Sequence, residues 1–291
     1  MDLACAGASA SIQPLGGELV AWQEAGSPPL LWHGDAAHWP HHAPILFPIV
    51  GHAANDVIRH DGIAYPTQRH GFTRTSLFTV ASTAPDRVEL VLRDTEEIKA
   101  IFPFAFVLRL AYRLGAAGLR LDLSLANPGT VPLPYATGFH PAFRWPFAGA
   151  SQSGYRVVFE REEASSLIGG GPDGLIEREM RLSPLSGRTL SLTPERFEQG
   201  AIIFRDAKSR RLTFAAPDGS AIEMATDGFP HLALWTKTTA PFLCLEAWTG
   251  YSDPRGFTGN LTEKPSMRLL PPGQEATYGV DLTYRPPGSV L

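Results

Sequence analysis

Between residues 104 and 125 the chain alternates apolar and polar positions with a period of two. Phe104, Phe106, Leu108, Leu110 and Tyr112 take every second place. After Gly115-Ala116-Ala117-Gly118 the alternation resumes, with Leu119, Leu121, Leu123 and Leu125 set against Arg120, Asp122 and Ser124. This pattern on both sides of a glycine-bearing loop predicts a β-hairpin with one buried face, which Asn127-Pro128-Gly129 ends. Strand-sized segments recur at 88–92, 155–159, 201–204, 211–215, 221–225, 232–235, 242–248, 267–270 and 278–284, with turn signals such as Ala216-Pro217-Asp218-Gly219 and Pro271-Pro272-Gly273 between them. No 3.6-period run lasts beyond a couple of turns. Regular strands without intervening helices predict an all-β chain, antiparallel sheets stacked as a sandwich. The glycine- and proline-rich passage from Ile168 to Gly174 reads as a loop and is the best candidate for a domain boundary. Strands of the same style continue on both sides of it, so one domain over residues 1–291 is expected.

Length and charge narrow the range of functions. A chain of 291 residues can bury roughly 75% of its extended surface and needs no metal or disulfide to fold. Charged residues make up 19% and the net charge is -4, which argues against a nucleic-acid partner. The weakly acidic total favours a neutral or cationic ligand over a phosphorylated one. Cys5 and Cys244 lie far apart, so no disulfide framework is expected and a reducing, cytoplasmic setting fits. Met1-Asp2-Leu3-Ala4-Cys5 lacks the basic start of a signal peptide, and no run approaches 18 apolar residues, so no membrane span is expected.

Two stretches place a proton-transfer group among aromatic residues: Gly138-Phe139-His140-Pro141-Ala142-Phe143 and Leu243-Cys244-Leu245-Glu246-Ala247-Trp248. Pro141 biases His140 toward extended backbone and removes a ladder donor, which predicts a strand end or irregular edge. The plain alternative is a histidine hydrogen-bonded inside an aromatic core. Glu246 interrupts an apolar strand and shares a face with Cys244 and Trp248, where an apolar residue belongs. Because an unpaired buried carboxylate is costly, Glu246 either pairs with a buried arginine or faces a ligand. A third locus is Gln68-Arg69-His70-Gly71-Phe72-Thr73-Arg74. There Gly71 permits a left-handed step beside His70, and Arg74 offers a fork of donors; an ordinary surface loop is the competing reading. His33, His41, His42, His52 and His60 cluster in sequence but match no zinc spacing, so no metal is expected. No phosphate-binding glycine loop or serine nucleophile elbow is present, and no cofactor is implied. Trp145, Trp235 and Trp248 suit either stacking on a sugar ring or core packing.

At these residues the chain resembles the aldose 1-epimerase (mutarotase) family, and within it a bacterial branch of LacX-like proteins. The resemblance is carried by Leu46-Phe47-Pro48-Ile49-Val50-Gly51, the stretch from Gln68 to Arg74, Phe102-Pro103-Phe104 with its hairpin, Gly138 to Phe143, and Cys244 to Pro254. It implies a large antiparallel β-sandwich of the galactose-mutarotase type and a small-molecule aldose as substrate. By the same resemblance His140 is the acid that protonates the ring oxygen, and Glu246 is the base that takes the anomeric hydroxyl proton. His70, Arg74, Trp235, Trp248 and His52 line the sugar site. The chain departs from the family pattern at His52, where an arginine is usual, and at Glu198-Gln199-Gly200, where an acidic residue often precedes the strand. Both departures touch hydroxyl recognition more than proton transfer. Rival readings are epimerisation of a hexose 6-phosphate, with Arg69 or Arg74 on the phosphate, and a non-catalytic carbohydrate-binding or regulatory protein. A glycosidase needs two flanking carboxylates, and only Glu246 stands out.

Overall fold

The alternation at 104–125 becomes two adjacent inner strands of the larger sheet, with Phe104 and Phe106 just before the first of them. Val107–Gly115 and Gly118–Ala126 pair antiparallel so that Leu108, Leu110, Tyr112 and Leu114 stand opposite Leu125, Leu123, Leu121 and Leu119, all buried. Each fully buried leucine contributes roughly 1.5–3 kcal/mol before the cost of ordering the chain, so these ladders hold the sheet in register. On the other face Arg113 meets Asp122 at 2.6 Å and Arg120 meets Asp281 at 2.6 Å, exposed pairs worth at most about 1 kcal/mol each. The computed structural model describes residues 1–163, 166–170 and 173–288, with the backbone alone described at 166–170 and 177–181.

Among the described residues nine strands form this sheet, in the order Thr189–Ser191, Arg156–Phe159, Arg211–Ala215, Ala221–Asp227, Glu275–Arg285, Gly118–Ala126, Val107–Gly115, Arg87–Arg93 and Thr79–Ala84. A smaller antiparallel sheet runs Ile202–Phe204, His231–Trp235, Phe242–Trp248, Gly138–Phe139 and Ile45–Leu46, with Ala142–Arg144 also paired to Phe242–Trp248. The fold is all-β, with large antiparallel sheets of the galactose-mutarotase type. The one α-helical turn described is Glu96–Lys99. No helix among the described residues is long and apolar enough to cross a membrane. One apolar cluster extends from Leu3 to Leu282 and takes side chains from both sheets.

The strand Phe242–Trp248 is buried at every position. Leu243, Leu245 and Ala247 face the shared core. Phe242, Cys244, Glu246 and Trp248 therefore point to the opposite side, since side chains alternate along a strand. That second side is covered by loops, and it is where the site lies.

One expectation is corrected. Ser166–Gly170 is a strand, pairing antiparallel with Ile176–Leu182 in a hairpin with a register shift, so the passage from Ile168 to Gly174 is strand as far as Gly170, turn at Asp173 and bend at Gly174. An irregular strand tolerates glycines at a bulge, which is why the composition misleads there. Gly171 and Pro172 lie outside the described residues.

Candidate active site

The sheet register brings His140 and Glu246 together. Phe139 pairs with Ala247 and Ala142 with Cys244; carrying that register through puts His140 across from Glu246. Pro141 has no N–H to give, and its carbonyl instead accepts from Leu245 N–H at 3.2 Å. On its other flank His140 N–H donates to Pro44 O at 3.1 Å. His140 thus sits in a gap between two short strands with its backbone held from both sides. Of the strand end or irregular edge expected from Pro141, the structure has the strand end: His140 directly follows Gly138–Phe139, inside the sheet.

Across the gap His140 Nε2 lies 3.1 Å from Glu246 Oε2, and Trp248 Nε1–H donates to the same oxygen at 3.0 Å. Glu246 is 1% exposed and His140 6%. Of the two branches foreseen for Glu246, the arginine is not what it meets: its partners are His140 and Trp248, and it borders a cavity that could hold a ligand. Burial raises the Glu246 carboxyl well above its ordinary range, against the Trp248 hydrogen bond, which lowers it. Burial pushes His140 down to about 3, with Arg74 and His41 adding like charge. Both shifts favour uncharged forms, so the pair is best treated as two sites sharing one proton.

Aromatic rings fix the pair. Trp39 stacks on His140 with ring centroids 5.1 Å apart and 28° between planes, and Trp235 meets His140 edge-on at 5.8 Å. Trp39 also packs against Trp235 and Phe242. Trp39 is not among the residues expected from the sequence, since nothing in the local pattern around 35–42 announces a strand or a site. Trp145 belongs to the core, with Nε1–H on Gln152 O at 3.0 Å.

His140, Glu246, Trp235 and Trp248 border a cavity of about 350 Å³, at the small end of the usual range for small-molecule sites. His70 borders it too, and its geometry sets its tautomer. The chain takes two successive left-handed steps, His70 at φ 66° and Gly71 at φ 75°. A Cβ on Gly71 would lie 2.1 Å from Phe47 O, so only glycine fits. This turn lets Gly51 N–H donate to His70 Nδ1 at 3.0 Å. The neutral ring then carries its proton on Nε2, ready to donate. Burial first, then the neighbouring His140 and Arg74, hold His70 well below its ordinary pKa.

The remaining wall is basic. Arg74 donates to Arg69 O at 2.6 Å and lies 3.3 Å from His41 Nε2, while Arg69 Nε donates to His52 Nε2. Where the family pattern has an arginine, His52 is thus capped by one from the next loop. Burial, followed by the adjacent arginine, lowers both His52 and Arg74. Of the pair considered at 198–199, Gln199 lines the cavity and Glu198 does not. The loop bearing His52 is anchored by Asp253, which accepts from Ala54 N–H at 2.8 Å and pairs with buried Lys264 at 2.8 Å. Among the described residues, the ligand-type side chains close enough to share a cation are His140, Cys244 and Glu246, not the histidines of 33–60.

Comparison with known proteins decides the family. The aldose 1-epimerase family profile matches residues 3–282. The chain belongs to the aldose 1-epimerase family. It is 30% identical over 280 residues to protein LacX (plasmid form) of Lactococcus lactis subsp. lactis, covering 92% of this chain and 94% of the relative. Among solved structures it is similar to a galactose mutarotase-like protein from Lactobacillus casei, with a TM-score of 0.91, 26% identity, and 98% and 99% of the two chains covered. A galactose mutarotase related enzyme from Lactobacillus acidophilus superposes with a TM-score of 0.91 at 24% identity, over 99% and 97% of the chains.

Proposed function

We propose that this epimerase-family chain interconverts the α and β anomers of an aldose by opening and reclosing the sugar ring. The observation that carries the reading is the buried His140–Glu246 contact of 3.1 Å at a cavity walled by tryptophans. In the forward step Glu246 takes the proton of the anomeric hydroxyl, the C1–ring oxygen bond breaks, C1 becomes an aldehyde carbon, and His140 gives its Nε2 proton to the departing ring oxygen. Rotation about C1–C2 and the reverse transfers close the ring from the other face. Glu246 gains one proton and His140 loses one, so the pair stays neutral as a unit throughout. It moves from an ion pair to two uncharged groups, the direction that burial favours. Each well-placed proton-transfer group is worth roughly 10²–10⁴-fold in rate. No cofactor is needed for such paired transfers.

In this reading His70 Nε2–H and Arg74 hold sugar hydroxyls, Trp235 presents a ring face, and Trp248 keeps Glu246 oriented. His52 acts with Arg69 as one donor unit. The 30% identity to LacX supports placing the chain in that branch of the family, and the shared apolar cluster from Leu3 to Leu282 supports a single domain.

A specific observation favours a second substrate. Arg69 and Arg74 share the lining with one carboxylate, Glu246, while burial holds His41, His52 and His70 below their ordinary pKa as neutral donors and acceptors, so the two guanidinium groups make the cavity locally basic in a chain of net charge -4. This reverses the inference drawn from total charge and suits a phosphorylated aldose. The test is mutarotation of freshly dissolved pure anomers, followed by polarimetry or NMR. The panel is glucose, galactose, less common aldoses and glucose 6-phosphate. Acceleration over the spontaneous rate that is lost in Glu246→Gln supports the reaction, and the preferred substrate separates free from phosphorylated sugar. No acceleration on any of them sinks the enzymatic reading and leaves a binding protein.

A further inference from the structure

Cys244 has no part in the proposed proton transfers, yet the sheet sets it beside them. It lies two residues before Glu246 on the same face of Phe242–Trp248, and the cross-strand register brings His140 next to both. One ligand atom from each of the three, Cys244 Sγ, a His140 ring nitrogen and a Glu246 oxygen, lies within 4.8 Å of the others. All three side chains are buried. Cys244 and Glu246 are alternate positions of one strand, and His140 is held between two short strands that both pair with that strand, so the grouping is set by the sheet rather than by a chance meeting of surface loops.

We infer that His140, Cys244 and Glu246 form a binding site for a soft divalent cation of the Zn²⁺ type, filled in competition with the sugar and switching catalysis off. Thiolate, imidazole and carboxylate are the donor types zinc prefers. With bonds of roughly 2.3 Å to sulfur and 2.0–2.2 Å to nitrogen and oxygen, tetrahedral ligand atoms sit about 3.3–3.6 Å apart. The existing 3.1 Å between His140 Nε2 and Glu246 Oε2 is already close to one such edge. His140 and Glu246 both border the cavity, which leaves a fourth position open to water. Binding releases two protons to solvent, one from the Cys244 thiol and the one shared by His140 and Glu246. The cation's two charges then cancel the thiolate and the carboxylate, so no net charge is added beside Arg69 and Arg74. In the metal-free site burial drives the thiol and the carboxyl upward, toward protonated forms that a cation would displace. A bound cation occupies the lone pairs of both proton carriers, and transfer stops.

The switching part of this inference rests on the proposed reaction; the site itself does not, and the experiment separates them. The full chain carrying Cys5→Ser, which removes the other thiol, is stripped with chelator and titrated with Co²⁺. The expected result is one Co²⁺ per chain, a sulfur-to-cobalt charge-transfer band in the near ultraviolet, and displacement by Zn²⁺. Cys244→Ala and Cys244→Ser, made in the same background, should lose the band while keeping mutarotation. His140→Ala, which keeps the thiol, should weaken Co²⁺ binding at least ~10-fold. Zn²⁺ should suppress turnover of the Cys5→Ser chain at least ~10-fold, with recovery on chelation and relief by saturating sugar. Absence of the band, or its survival in Cys244→Ala, overturns the site. A band with undiminished turnover overturns the switch. If no sugar is turned over, the cobalt spectra still decide the site.

Discussion

Replacing Glu246 with glutamine tests the reading most directly, because it removes proton-accepting ability and changes little else. An amide oxygen in the place of Oε2 can still accept from Trp248 Nε1–H and from the Nε2–H of a neutral His140, so both contacts to that one oxygen, at 3.0 and 3.1 Å, have a neutral counterpart. Losing a positioned base costs roughly 10²–10⁴-fold in kcat, equivalent to about 2.7–5.4 kcal/mol of transition-state stabilisation. Stability should move the other way or not at all. The carboxyl's raised pKa means the fold disfavours its ionised form, and at neutral pH the unfolded chain exposes that form to water. The amide avoids this penalty, so the thermal midpoint should hold within ~2 °C or rise. Polarimetry of a fresh single anomer gives the rate over the spontaneous background, and calorimetry gives the midpoint. Turnover within ~3-fold of wild type, under about 0.7 kcal/mol, would refute Glu246 as the base. A midpoint lowered by many degrees would refute the argument that the buried carboxylate is a cost rather than a support.

Other expectations follow from the same geometry. His140→Ala should cut kcat at least ~100-fold in the same polarimetric assay while circular dichroism stays that of the folded chain. His70→Ala removes one neutral Nε2–H donor, about 1–1.5 kcal/mol, so KM should rise roughly 10-fold with a smaller change in kcat. Trp39→Leu removes the ring stacked on His140 and should lower kcat, whereas Trp39→Phe should restore most of it; equal activity in both would show that the stack positions nothing. Acid should destabilise the fold through His231, whose Nδ1 accepts from Asp206 N–H at 3.0 Å and whose pKa burial lowers to about 4. Unfolded, that ring takes its proton near pH 6.5, so between 6.5 and 4 the unfolded state binds more protons and stability falls as pH falls. This group alone contributes about 3 kcal/mol over that window, and denaturant midpoints of His231→Gln should show a correspondingly shallower acid slope.

Local pattern determined a good deal of this protein. Period-two alternation marks the strands because half-buried strands sort side chains by face, and that rule acts between neighbours in sequence. The same rule made Glu246 conspicuous, since a carboxyl on an apolar strand breaks it, and Pro141 told where His140 leaves the ladder. The rule failed at Ser166–Gly170, where an irregular, glycine-bearing hairpin carries no alternation to read. What only the tertiary structure decided is who stands beside whom. The cross-strand register set His140 against Glu246 instead of an arginine, and it brought Cys244 to the same corner. Loops distant in sequence delivered Trp39 to the His140 ring, Arg69 to His52, and a basic wall to a chain whose total charge is acidic. Those placements depend on strand pairing and loop closure between remote segments, so neighbouring residues carry no trace of them.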